Sequence, residues 1–256
     1  MTNIIGLVCE GPRDVELISS VISNLFPDKQ IEYRYLQPDV SLKSSNYNGW
    51  KGVLRWCRKD YGLISESKEF LNVGLDLIII QIDGDVSRDY NNKQSHCNCI
   101  EFDCAERNSL NTTGTVWGEE CSRKAAECPI EFPCTEHQEE RPDAFIAHLT
   151  KLLNTYLGEE RPIPTIITIP CDSTDTWVLA AFEDEKMEYE LLENPWDSRI
   201  SKGKEFHGVR IPGRKKNKKV YRELIKTVIK NWPMVVAKCK QAGQFQEKIT
   251  EAIESI

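Results

Sequence analysis

The sequence predicts an α/β protein in which a parallel sheet carries helices on both faces. Three stretches support this. Leu77-Ile78-Ile79-Ile80-Gln81-Ile82 is a nearly unbroken isoleucine-rich run, too short for a membrane span and too apolar for a strand with one wet face, as expected of a central strand buried on both sides. Ile4 to Cys9 is a second apolar run, stopped by Glu10-Gly11-Pro12-Arg13-Asp14 and followed by Val15 to Ile22 at helical spacing. After residue 141 the alternation returns, with an amphipathic segment from Pro142 to Tyr156 and then the apolar run Pro164 to Pro170.

Taken in order, the first element is strand, turn and helix. Glu10 closes the strand, where it has no capping duty. Asp14 falls in the first helical turn, where a carboxylate suits the positive end of the helix, so capping and chemistry are both open for it. Pro27-Asp28 ends that helix, Ile31 to Leu36 alternates as a second strand, and Pro38 to Asn48 is turn-rich and polar. Gly49 to Glu69 reads as a helix with Trp50, Val53, Leu54, Trp56 and Cys57 inward and the basic residues Arg55, Arg58 and Lys59 on a solvated face.

The central run ends in Asp83-Gly84-Asp85. At i and i+2 the two carboxylates point to one side of an extended backbone, and in parallel sheets ligands bind beyond the carboxyl ends of the strands. Fixed carboxylates this close repel each other, and a hard cation such as Mg²⁺ relieves the repulsion. The plainer alternative is a strand end followed by an Asp-Gly turn.

Residues 90 to 141 form a polar insertion holding six of the ten cysteines, together with His96 and His137. Zinc bound by a subset of Cys97, Cys99, Cys128, Cys134 and His137 would pin such a stretch, although no paired Cys-x-x-Cys knuckle is present. The alternative is a loose insertion with incidental thiols. The strand ending at Pro170 leads into Cys171-Asp172-Ser173-Thr174-Asp175, where Asp172, Ser173 or Thr174 can cap the next helix and Asp175 is left as a further acid and metal ligand. Trp196 to Gly213 reads as irregular. In Arg214-Lys215-Lys216-Asn217-Lys218-Lys219 five of six residues are basic. Such a run is a solvated face or, beside an acidic edge, a contact for a phosphate backbone through Arg214, Lys215, Lys216, Lys218 and Lys219. A helix follows, Pro233 interrupts, and a closing helix ends the chain.

The 256 residues, 40% hydrophobic and with net charge −7, fit a core domain over 1–182 that includes the 90–141 insertion, and a basic, mainly helical region over 183–256. The negative balance argues against a general nucleic-acid coat but leaves room for a local basic groove. With no 18-residue apolar run and no signal-like N-terminus, the expectation is a cytoplasmic protein without a membrane partner, whose cysteines are buried thiols or metal ligands.

The strand, then Glu10-Gly11-x-x-Asp14, then helix, with Asp83-x-Asp85 closing a later buried strand, resembles the Toprim domain of topoisomerases, primases and OLD-type nucleases. By motif the resemblance covers about residues 4 to 90, and by element order it extends to 182. It implies that Glu10 is a general acid or base or a metal ligand, that Asp83 and Asp85 hold Mg²⁺ or Mn²⁺, and that Asp14 is the further acid of the nuclease branch. That branch also uses a lysine, for which Lys202, Lys204, Lys215, Lys218 and Lys219 are open; Lys218 is taken here. A chain this short resembles the small nucleases found beside ATPases in antiphage defence, cutting DNA or RNA. Two alternatives stand beside it. In a haloacid-dehalogenase-like phosphatase Asp83 would be the nucleophile, but that motif normally lies on the first strand and Glu10 would be unexplained. In a non-catalytic sensor or scaffold bound to a partner ATPase, clustered acids would only destabilise.

Overall fold

The computed structural model describes residues 2–38, 49–62, 74–87 and 142–256. Strand β1 (Asn3–Val8) leads into α1 (Pro12–Leu25), followed by β2 (Ile31–Gln37), α2 (Trp50–Arg55, continued by a π-helical turn at Trp56–Asp60) and β3 (Leu77–Gln81). Next come α3 (Pro142–Leu157), β4 (Thr165–Thr168) and α4 (Asp175–Phe182). After them lie a small hairpin of β5 (Glu205–Phe206) and β6 (Val209–Arg210) and the helices α5 (Lys218–Lys230), α6 (Trp232–Lys238) and α7 (Lys240–Ser255). The four main strands form one all-parallel sheet in the order β2-β1-β3-β4.

β3 is interior and every one of its residues is buried. Leu77 and Ile79 pack with Ile5, Leu7 and the apolar faces of α1, α4, α5, α6 and α7, whereas Ile78 and Ile80 pack with Val8 and the faces of α2 and α3. At about 1.5–3 kcal/mol for each fully buried aliphatic side chain, this two-sided alternation holds helices on both faces. Trp177 of α4 meets Trp232 edge-on at 5.7 Å and stacks on Phe245 at 5.8 Å, so residues beyond 182 share the core of the sheet. Cys9, Cys57, Cys171 and Cys239 are buried free thiols. No helix among the described residues is long and apolar enough to cross a membrane.

The stretch expected to be irregular holds a π-helical turn at Trp196–Ile200 and the β5–β6 hairpin. The hairpin turns through His207 and Gly208 at φ 45° and 84°, both in the left-handed region that suits tight hairpins. Strands of two residues leave no period to read in a sequence. Pro233 stands in the first turn of α6, where its missing N–H costs nothing. The helix expected to run to Glu69 is described to residue 62. Cys97, Cys99, Cys128, Cys134 and His137 lie outside the described residues.

Candidate functional site

Because β1 and β3 are parallel neighbours, with Val8 opposite Ile80, the residues just past each strand meet at one edge. A closed set of hydrogen bonds joins them. The Glu10 N–H donates to Gln81 Oε1 at 3.2 Å, Gln81 Nε2 donates to Asp83 Oδ1 at 2.6 Å, and the Asp83 N–H donates back to Glu10 Oε1 at 2.7 Å. Beyond it, the backbone N–H groups of Gly84 and Asp85 donate to the carbonyls of Pro170 and Asp172, both at 2.9 Å, which ties the end of β3 to the end of β4. Gly84 is dictated by this approach. A Cβ there would lie 2.8 Å from the Phe145 ring and 2.9 Å from the Pro170 carbonyl oxygen, an overpacking that costs about 1–3 kcal/mol.

Glu10, Asp83 and Asp85 are half-buried. Burial pushes the Glu10 carboxyl well above its ordinary range, and Asp85 and Asp14 add repulsion, against which the Asp83 N–H and Lys216 act only in part. Asp83 is likewise pushed well up by burial, then by Glu10, Asp14 and Asp85. Burial, then Asp14, Asp83 and Glu10, push the Cys9 thiol well up.

A second group of acids lies alongside, with its charge answered. Asp14 accepts from Thr174 Oγ1 at 2.6 Å, and Asp175 accepts from Tyr221 OH at 3.1 Å on one oxygen and pairs with Lys216 Nζ through the other. Burial alone would favour neutral Lys216, but Asp175, Asp14 and Asp83 outweigh it and hold the ammonium protonated. Burial raises the Asp14 carboxyl too, opposed by Lys216 and the Thr174 hydroxyl. The loop carrying Lys216 is fixed by Trp196, whose Nε1 donates to the Arg214 carbonyl at 2.5 Å and whose ring lies 5.8 Å from Lys216 Nζ.

The structure therefore brings Glu10, Asp14, Asp83, Asp85 and Asp175 to one edge. Lys218 is not at that edge: its side chain is 59% exposed with Nζ 3.8 Å from Glu16 Oε1, while Lys216 is the lysine among the acids. Arg214, Lys215 and Lys219 are exposed around it. Gln81 and Tyr221 were not assigned to the site from the sequence, and Thr174, expected there only as a possible helix cap, makes no side-chain cap and donates to Asp14 instead. Of these, only Gln81 leaves a signal, a lone amide in an isoleucine run.

Compared with known proteins, the chain matches no family model, no curated protein and no solved structure. Among the described residues no three His, Cys, Asp or Glu side chains converge as a ready-made metal cage. Mg²⁺ seldom uses one, taking one or two carboxylates together with water and substrate phosphate. Glu10, Asp83 and Asp85 are oxygen donors, mutually repelling and partly open to water, and they fit that mode. Both oxygens of Asp175 already have a cationic or hydroxyl partner.

Proposed function

We propose that this chain is a metal-dependent nuclease of the Toprim type, hydrolysing phosphodiester bonds of nucleic acid with Mg²⁺ or Mn²⁺. One observation carries the reading: Glu10 from the end of β1 and Asp83 from the end of β3 are locked together at one edge by the Asp83 N–H and the Gln81 amide, with Asp85 and Asp14 close enough to add repulsion. A role beside a partner ATPase in antiphage defence rests on the Toprim resemblance alone.

In this reading Asp83, Asp85 and Glu10 hold the cation, which when bound would polarise a phosphoryl oxygen and lower the pKa of a water molecule. Gln81 and the Asp83 N–H keep the two strand ends in register and fix how their carboxylates face. Glu10, which binds a proton more tightly than an ordinary glutamate in the metal-free chain, would release it on joining the two aspartates at the cation. Lys216 assumes the part first given to Lys218. Its ammonium, kept charged by three acids, meets the negative charge that grows on the phosphoryl group. Arg214, Lys215 and Lys219 contact neighbouring phosphates.

Purified protein incubated with plasmid DNA, total tRNA or para-nitrophenyl phosphate, each with Mg²⁺, Mn²⁺ or chelator, tests the reading. Metal-dependent cutting of a polymer alone is the expected result. Release of nitrophenol alone would replace the nuclease by a phosphatase, and no turnover in any arm would leave a binding protein.

A further inference from the structure

The segment from Lys202 to Arg222 carries nine basic residues and one acid in a chain of net charge −7. The structure divides those nine into two sets. Lys216, Lys218 and Arg222 have acidic partners in Asp175 and Glu16, whereas Lys202, Lys204, Arg210, Arg214, Lys215 and Lys219 are exposed and have no acidic partner among the described residues. The unanswered cations do not sit on a loose tail. Phe206 and Ile211 are 6% and 3% exposed and anchor the hairpin in the main core, with Phe206 packed 5.1 Å from Phe182. The Ile211 N–H donates to the Lys204 carbonyl at 2.8 Å, closing the hairpin below Arg210. Between hairpin and α5 lies a groove of about 430 Å³ lined by Val209, Arg210, Pro212, Asn217, Lys219 and Glu223, among others. At the far end of the same segment, Lys216 enters the carboxylate edge.

We infer that the β5–β6 hairpin and the loop to α5 form a preorganised track for a nucleic-acid backbone, with Lys204, Arg210 and Lys219 as phosphate contacts away from the acids and Lys216 marking where the track meets the site. The inference rests on the nuclease reading for its orientation but not for its binding chemistry. Two features select nucleic acid over an acidic protein. The track is dominated by exposed lysine and arginine without acidic partners among the described residues, on an anchored hairpin and loop, which suits a chain of phosphates. It also has no large exposed apolar anchor: the exposed large hydrophobics of the described residues are Tyr35, Leu191 and Ile256, all outside it, whereas protein interfaces concentrate their binding energy in such anchors.

The test is fluorescence anisotropy of the full chain with a fluorescein-labelled DNA duplex, its single strand and the equivalent RNA, in chelator and over a range of KCl. Wild type is expected to bind at least one of these. Lys204→Ser/Arg210→Ser should weaken that binding and lower the slope of log affinity against log salt by about 1.8 on a duplex or about 1.4 on a single strand, since each lost phosphate contact removes about 0.9 or about 0.7. Lys29→Ser/Lys230→Ser, both exposed and outside the groove lining, removes equal charge away from the track and should leave the slope in place. Melting curves show that each variant is folded, and if the hairpin pair fails to fold, Lys204→Gln and Arg210→Gln are measured singly. Equal slopes in wild type and hairpin variants would overturn the track. So would absence of binding by wild type, or hairpin-dependent binding of polyglutamate with none of nucleic acid. Hairpin-dependent binding without metal-dependent cutting would keep the track and remove the nuclease.

Discussion

Glu10 and Asp14 stand four residues apart on one turn of chain, yet they belong to halves of the acidic edge with opposite electrostatics. On the Asp14 side, Asp175 is matched by Lys216 and Tyr221, and Asp14 by Thr174. On the Glu10 side, Glu10 and Asp83 are held together by the Asp83 N–H and the Gln81 amide, and Asp85 adds repulsion to both. The Lys216 ammonium is paired with Asp175 and also opposes the effect of burial at Asp14, whereas it offsets the repulsion at Glu10 and Asp83 only in part. The first half is built to be stable as it stands, and the second stores repulsion that a divalent cation would relieve.

The largest effect that would separate the halves is on turnover. Asp83→Asn or Glu10→Gln should reduce Mg²⁺-dependent cleavage by about 10³-fold or more, near 4 kcal/mol of barrier, while circular dichroism shows an unchanged fold. Residual activity within tenfold of wild type would mean that these carboxylates do not hold the reacting cation.

Asp175→Asn should act on stability. It leaves the Lys216 ammonium without its ion partner beside buried groups. Breaking a fully buried pair costs about 3–5 kcal/mol, and because the Lys216 side chain is 37% exposed water recovers part of it, so a loss of about 2 kcal/mol in denaturant unfolding is expected. No loss would show that the compensated half is not structural.

Gln81→Leu probes the contact that gives the uncompensated half its shape. With the amide gone, Asp83 and the Glu10 N–H lose a common partner, and calorimetry should find Mg²⁺ affinity lowered about 10- to 100-fold, the usual cost of removing a residue that orients metal ligands. Excess Mg²⁺ should restore most of the rate, which a misfolded variant would not allow.

The smallest effect concerns pH. The folded-state pKa values of Glu10 and Asp83 are raised above their ordinary 4.5 and 3.8, so the folded chain keeps protons that the unfolded chain releases. The stability these two groups contribute is present in full below those ordinary values and falls as pH rises from there through the raised ones. Without metal, the protein should melt lower at pH 8 than at pH 6. Asp83→Asn should flatten that slope and raise the stability at pH 8 by about 0.5–1 kcal/mol, seen as a higher melting point. A slope of opposite sign that Asp83→Asn leaves unchanged would place the titrating groups elsewhere.

The contrast between the halves also explains what the sequence revealed. Glu10, Asp83 and Asp85 were legible because each ends an apolar run, and a parallel sheet brings such ends to one edge whatever the details of packing. The isoleucines of β3 announced a strand covered on both faces. Lys216 was indistinguishable from its basic neighbours, because what selects it is the fixed position of the loop, set by the hydrogen bond from Trp196 to the Arg214 carbonyl. Tyr221 and Thr174 meet the acids across separations of 46 and 160 residues, which leaves no local pattern. The hairpin carrying Lys204 and Arg210 was missed because its strands are two residues long.

The most direct measurement is the Mg²⁺-dependent shift in melting temperature of wild type, Asp83→Asn and Asp175→Asn. If the uncompensated half holds the cation, Mg²⁺ at a hundred times its dissociation constant stabilises the wild type by about 2.7 kcal/mol, Asp83→Asn responds far less, and Asp175→Asn, though less stable, responds as wild type does. Equal Mg²⁺ shifts in wild type and Asp83→Asn would contradict the account.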